Sequence, residues 1–75
     1  MDLNMIVHIK DIRPGKRVAI DKESDGYRIM IQEHKSICSQ YINDADKDGW
    51  RVCLETFEYT EDEAIRKMEL LAKRY

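Results

Sequence analysis

Cysteine is scarce in this chain of 75 residues, with only Cys38 and Cys53 present. Disulfide-dependent minidomains of this size carry many more, so both are expected to be thiols in a reducing compartment, the cytoplasm. A single bond between their adjacent strand-like segments is the alternative. Apolar runs are short too: the longest, such as Met5-Ile6-Val7 and Val18-Ala19-Ile20, have three residues. About 20 are needed to cross a bilayer, so no membrane partner is expected. Met1-Asp2-Leu3-Asn4 offers neither a basic n-region nor an apolar h-region, which argues against a secretory signal. One proline and three glycines are too few for a flexible linker, and no repeat or low-complexity stretch occurs, so residues 1–75 are expected to form one domain.

A large excess of one charge is also missing. Thirteen Lys and Arg oppose fifteen Asp and Glu, for a net −2 and a pI near 5.6. Phosphate neutralisation favours a concentrated basic balance, which is absent here. Disorder is excluded from the other direction, because 43% of the residues are apolar. A chain this short buries only about 60% of the surface its unfolded form exposes. Its core is therefore small, its stability a few kcal/mol, and a deep pocket for a large cofactor is not expected.

Alternation is the clearest pattern in the first half. Leu3 to Ile12 reads as a strand with Leu3, Met5, Val7 and Ile9 on one side and Asn4, Ile6, His8 and Lys10 on the other. Arg13-Pro14-Gly15-Lys16 fits a type II turn, with φ fixed at Pro14 and free to be positive at Gly15. Val18 and Ile20 then share a face, Glu23-Ser24-Asp25-Gly26 marks a second turn, and Tyr27, Ile29 and Ile31 alternate beyond it. Gln32 to Asn43 fits either period: Ile37, Cys38, Tyr41 and Ile42 suit a helix face, while the β-branched and aromatic types suit a strand. The strand is favoured, because a short loop, Asp44 to Gly49, connects the segment to a clear strand from Trp50 to Tyr59. There Trp50, Val52 and Leu54 face one way and Cys53, Phe57 and Tyr59 the other.

Thr60 followed by Glu63 forms a capping box, and Glu61, Asp62 and Glu63 suit the positive end of a helix dipole. Ala64, Ile65, Met68, Leu71, Ala72 and Tyr75 make one apolar stripe beyond it. Asp62/Arg66, Glu63/Lys67 and Glu69/Lys73 are spaced for i,i+4 pairs on the opposite side. Leu70 lies off the stripe and is expected to be exposed, where it would matter in a homodimer. The expected fold class is α+β: a small antiparallel sheet of four to five strands packed by one C-terminal helix.

The segment Asp44-Ala-Asp46-Lys-Asp48-Gly49-Trp50-Arg-Val-Cys-Leu-Glu55 resembles the calcium loop of EF-hand proteins over its twelve positions. The resemblance implies carboxylate ligands from Asp44, Asp46 and Asp48, a sharp turn at Gly49, a carbonyl ligand at Trp50 and a bidentate carboxylate at Glu55. A solvated acidic hairpin loop accounts for the same residues without an ion, and no metal or cofactor is expected. The possible zinc ligands His8, His34, Cys38 and Cys53 lack any familiar spacing. No Gly-rich phosphate loop, nucleophile elbow or Cys/His signature occurs, so no catalytic residue is expected and the protein is not expected to be an enzyme.

Charge is unevenly placed along the chain. Residues 43–63 hold two bases and eight acids, a net −6, whereas residues 64–75 hold four bases and one acid, a net +3. Three of the eight acids begin the helix. The other five, Asp44, Asp46, Asp48, Glu55 and Glu58, form a negative patch with Trp50 beside it. Asp44, Asp46, Asp48, Trp50 and Glu55 are the candidate partner-binding set, expected to meet a protein partner with a basic surface. Nucleic acid is a second expected partner. The succession Trp50-Arg51-Val52 and Phe57 to Ala64 resembles the three-stranded DNA-binding domains of mobile-element integrases, whose sheet enters the major groove. That resemblance implies Arg17, Arg28, Lys35 and Arg51 as readers. The leading expectation is a non-catalytic binding or regulatory protein, inhibitor- or adaptor-like, that engages a basic macromolecular surface through its acidic loop.

Overall fold

A computed structural model describes residues 5–37 and 48–75. Four strands, β1 (Met5–Arg13), β2 (Lys16–Glu23), β3 (Gly26–His34) and β4 (Trp50–Glu58), precede the helix α1 (Glu61–Arg74). The strands pair antiparallel in the order β1-β2-β3-β4, and α1 covers one face of the sheet. The fold is thus a four-stranded antiparallel sheet packed by one C-terminal helix, the expected α+β class.

Both turns are as short as the sequence implies. Gly15 takes φ 83°, the positive value that the second central position of a type II turn requires. Ser24 and Asp25 link β2 to β3, and the resulting register pairs Asp21 with Arg28 and Ala19 with Met30. At Gly26 the constraint is space. An added Cβ would press on the Phe57 ring and lie 2.7 Å from the Glu58 carbonyl oxygen, so a side chain cannot enter without moving β4.

Alternation along β2 and β3 sends Val18, Ile20, Ile29 and Ile31 to the same face. Ala64, Met68 and Leu71 of α1 close over them, and Val7, Ile12, Tyr27, Ile65 and Ala72 pack around the rim. Each of the four fully buried aliphatic chains contributes about 1.5–3 kcal/mol relative to exposure. The helix starts where expected: Thr60 is its N-cap, and its Oγ1 accepts the Glu63 N–H at 3.2 Å. Leu70 is 52% exposed.

Three expectations are corrected. A register shift between Ile6 and His8 inserts Val7 as an extra residue in β1. Val7 therefore packs on the core while Ile9, opposite Ala19, falls on the other face and is half exposed. β1 shifts again between Asp11 and Arg13, at Ile12, and a shift between Ile31 and Gln32, opposite Cys53, has the same effect on β4. Val52 pairs with Gln32 but Leu54 pairs with Ile31, so Leu54 turns to the helix side and Phe57 joins the face of Trp50 and Val52. One extra residue in a strand reverses the facing of every side chain after it. The strand expected from Gln32 to Asn43 ends at His34, as the close of β3, and Lys35–Ile37 form a turn. The rest of that segment, with Cys38, lies outside the described residues.

The acids of α1 also differ from expectation, since Glu69 pairs with Lys10 at 3.3 Å rather than with Lys73. Glu61 meets His8 at 2.8 Å, and Glu63 accepts the Thr60 hydroxyl at 3.0 Å. β1 and the cap bring partners closer than the next helical turn does. No helix among the described residues is long and apolar enough to cross a membrane.

Candidate functional site

The face of the sheet turned away from α1 follows from the same register. By pairing, it receives Ile6, Ile9 and Asp11 from β1, Arg17, Ala19, Asp21 and Glu23 from β2, Arg28, Met30 and Gln32 from β3, and Val52, Glu55 and Phe57 from β4. Its centre is polar. Arg28 reaches Asp21 at 3.2 Å, Glu23 at 3.1 Å and Glu55 at 3.6 Å, so three carboxylates on three strands share one guanidinium. Burial alone would lower the pKa of Arg28, but its hydrogen bond to Asp21 and the charges of Glu55, Glu23 and Asp21 raise it above the ordinary value. The charge on Arg28 is thus permanent at any working pH. Counting Asp11 and Arg17, this face carries four acids and two bases, a net −2.

Ala19 and Met30 are buried beneath these longer chains, whereas Ile6, Ile9 and Val52 remain exposed around the charged cluster. Near the far end the Arg17 guanidinium lies 3.9 Å from the centre of the Trp50 ring. Its Nε donates to the side-chain Oε1 of Gln32 at 2.7 Å.

Trp50 is half-buried and meets His34 edge to face, with ring centres 5.0 Å apart. The Ser36 N–H donates to His34 Nδ1 at 3.2 Å, which leaves the ring proton on Nε2 to donate to the Asp48 carbonyl oxygen, also at 3.2 Å. Gly49, at φ 91°, lies so close that an added Cβ would sit 2.7 Å from Nε2. The Lys35 N–H donates to the Gly49 carbonyl at 2.7 Å. His34 therefore ties the end of β3 to the start of β4.

Of the candidate partner-binding residues, Asp48 is exposed at this junction, Trp50 packs between Arg17 and His34, and Glu55 extends from the middle of β4 toward Arg28. Asp44 and Asp46 lie outside the described residues. Glu55 sits five residues into a strand, about 17 Å from Trp50 at roughly 3.3 Å per residue. In an EF-hand that glutamate belongs to a helix, so β4 does not have the calcium-loop arrangement there. Among the described residues no three His, Cys, Asp or Glu side chains are arranged to hold a metal ion.

The nucleic-acid readers do not form one stripe. Arg17 and Arg28 share the open face, Lys35 is in a turn, and Arg51 pairs with Glu33 in register, on the side of the sheet that α1 covers. Sequence reasoning missed Asp21, Glu23 and Arg28 as a unit. A signal for it existed, because a two-residue turn at Ser24 and Asp25 places Asp21 opposite Arg28.

Fold and face together define a small α+β domain with one sheet face under a helix and the other bearing charge. No protein-family model, curated protein or solved structure matches this chain.

Proposed function

We propose that the protein is a non-catalytic binding module that engages a basic macromolecular surface through the open face of its sheet and the acidic connection that precedes β4. The observation that carries this reading is the sharing of Arg28 by Asp21, Glu23 and Glu55. One cation among three anions leaves negative charge on a face where Ile6, Ile9 and Val52 supply exposed apolar contact. Such a rim attracts cations at long range, and its apolar neighbours hold a partner at short range. A protein surface fits better than a phosphate backbone, because Arg17 and Arg28 are already engaged by Trp50, Gln32 and carboxylates.

The test is partner capture from the native host, with and without nuclease and calcium, using wild type and a variant with Asp44, Asp46 and Asp48 replaced by Asn and Glu55 by Gln. The variant should associate several-fold more slowly at low salt, with a flatter salt dependence, since rim charges act mainly on association rate. Capture that nuclease abolishes would favour nucleic acid. Capture that requires calcium would favour the ion-binding alternative, and an unchanged association rate would sink the reading.

A further inference from the structure

The side of α1 that faces away from the sheet differs sharply from the open sheet face. At about 100° per residue, Arg66, Lys67, Lys73 and Arg74 all lie within about 60° of Leu70 around the helix. Four cations thus surround one exposed leucine, with Glu63 about 20° from it around the helix two turns earlier and Glu58 of β4 alongside, so that cations still outnumber acids there. Among the described residues none of the four approaches a carboxylate within ion-pair distance, because Glu61 and Glu69 are turned to His8 and Lys10 of β1 and Glu63 to the Thr60 hydroxyl. On the opposite side of the slab, Asp11, Asp21, Glu23 and Glu55 against Arg17 and Arg28 give the open sheet face a net −2, with Ile9 and Val52 exposed on its two edge strands. The slab between them is thin, 15 Å against 34 Å in each other direction.

We infer that the basic surface received by the open sheet face is the outer face of α1 on a second copy of this chain. The inference rests on the binding reading above and names its partner. Charge complementarity is the argument: each copy presents an anionic sheet face with apolar residues at its edges on one side and a cationic helix face around Leu70 on the other. Leu70 of one copy meets Ile6 and Ile9 at the β1 edge of the next, while Arg66, Lys67, Lys73 and Arg74 meet its carboxylates. The contact is heterologous, since two different faces meet. Because they lie on opposite sides of a flat slab, repetition produces an open stack of copies rather than a closed pair. Association depends on concentration and weakens with salt, as exposed charge pairs do.

Sedimentation of the full chain tests this, over concentrations up to about 1 mM, in about 0.01 M and about 1 M salt. The mass-average should exceed the 8.9 kDa monomer at low salt, growing without a plateau at the dimer, and fall back at high salt. Two variants sharpen the result. One reverses the helix face (Arg66→Glu, Lys67→Glu, Lys73→Glu) and the other the sheet face (Asp11→Lys, Glu55→Lys). Each alone should remain monomeric, because its two faces now have the same sign. An equimolar mixture should associate again, which also shows that both variants are folded. Wild type that stays monomeric throughout, or a helix variant that still assembles alone, would overturn the proposal. Poly-lysine separates this failure from that of the parent reading. If monomeric wild type binds it and the sheet variant does not, only the self-partner is wrong; if neither binds, the acidic face is not a docking surface at all.

Discussion

The two faces of one sheet bury their side chains by different means. Toward α1, Val18, Ile20, Ile29 and Ile31 are covered by Ala64, Met68 and Leu71, and apolar contact does the work. Away from α1, Ala19 and Met30 are as well hidden, yet their cover is made of long charged neighbours organised around Arg28. Apolar burial is non-directional and tolerates adjustment, whereas a shared guanidinium demands that three strands hold their register. The first face therefore accounts for most of the stability, and the second ties a charged surface to the frame.

The sharpest way to break this asymmetry is Met68→Asp. It buries an unpaired carboxylate at a cost of several kcal/mol, comparable to the stability of the whole domain, and should abolish the cooperative thermal transition. Wild-type circular dichroism and melting temperature in that variant would mean that the helix is an appendage. A smaller loss, about 2 kcal/mol, is expected for Gly26→Ala, because the new methyl group must displace the Phe57 ring or the β4 backbone. Urea denaturation measures it, and an unchanged midpoint would show that β4 yields freely at that end.

On the open face, Arg28→Gln leaves Asp21, Glu23 and Glu55 without their common counterion and should cost about 1.5 kcal/mol, the low end for hydrogen bonds to charged groups because these pairs are partly exposed. The raised pKa of Arg28 sets the sign of any pH effect. Its contribution is complete below the ordinary guanidinium range and is lost only as pH rises through the higher folded value. The difference in stability between wild type and Arg28→Gln should therefore not depend on any loss of charge at Arg28 between neutral and mildly alkaline pH. A difference that vanishes across that interval would place the effect elsewhere.

Much of the helix-covered face was legible in the sequence because its signals are local and periodic. Thr60 and Glu63 mark the helix start within one turn, and Val18, Ile20, Ile29 and Ile31 alternate without interruption. The bulges at Val7 and Cys53 left no such mark, since nothing in their side chains distinguishes an extra residue from a paired one. Faces were consequently misassigned at Ile9, Leu54 and Phe57. The open face was read through the density of acids in residues 43–63, which singled out Glu55, and through Arg17 and Arg28 as nucleic-acid readers, but not through the pairing of Arg28 with Glu55. Asp21, Glu23 and Arg28 are neighbours only through hairpin register. Composition cannot show it, but counting outward from Ser24 and Asp25 can.

The two-residue turns at Pro14-Gly15 and Ser24-Asp25 also bear on the order in which the chain assembles. Each joins strands whose first contacts lie only a few residues apart, so closing them sacrifices little chain entropy and hairpins of this kind form in about 1–10 μs. β3 and β4 are separated by a much longer connection, and α1 has nothing to cover until β2 and β3 lie side by side. Assembly is thus expected to begin as a three-stranded meander from β1 to β3, with β4 and α1 arriving together as the rate-limiting event.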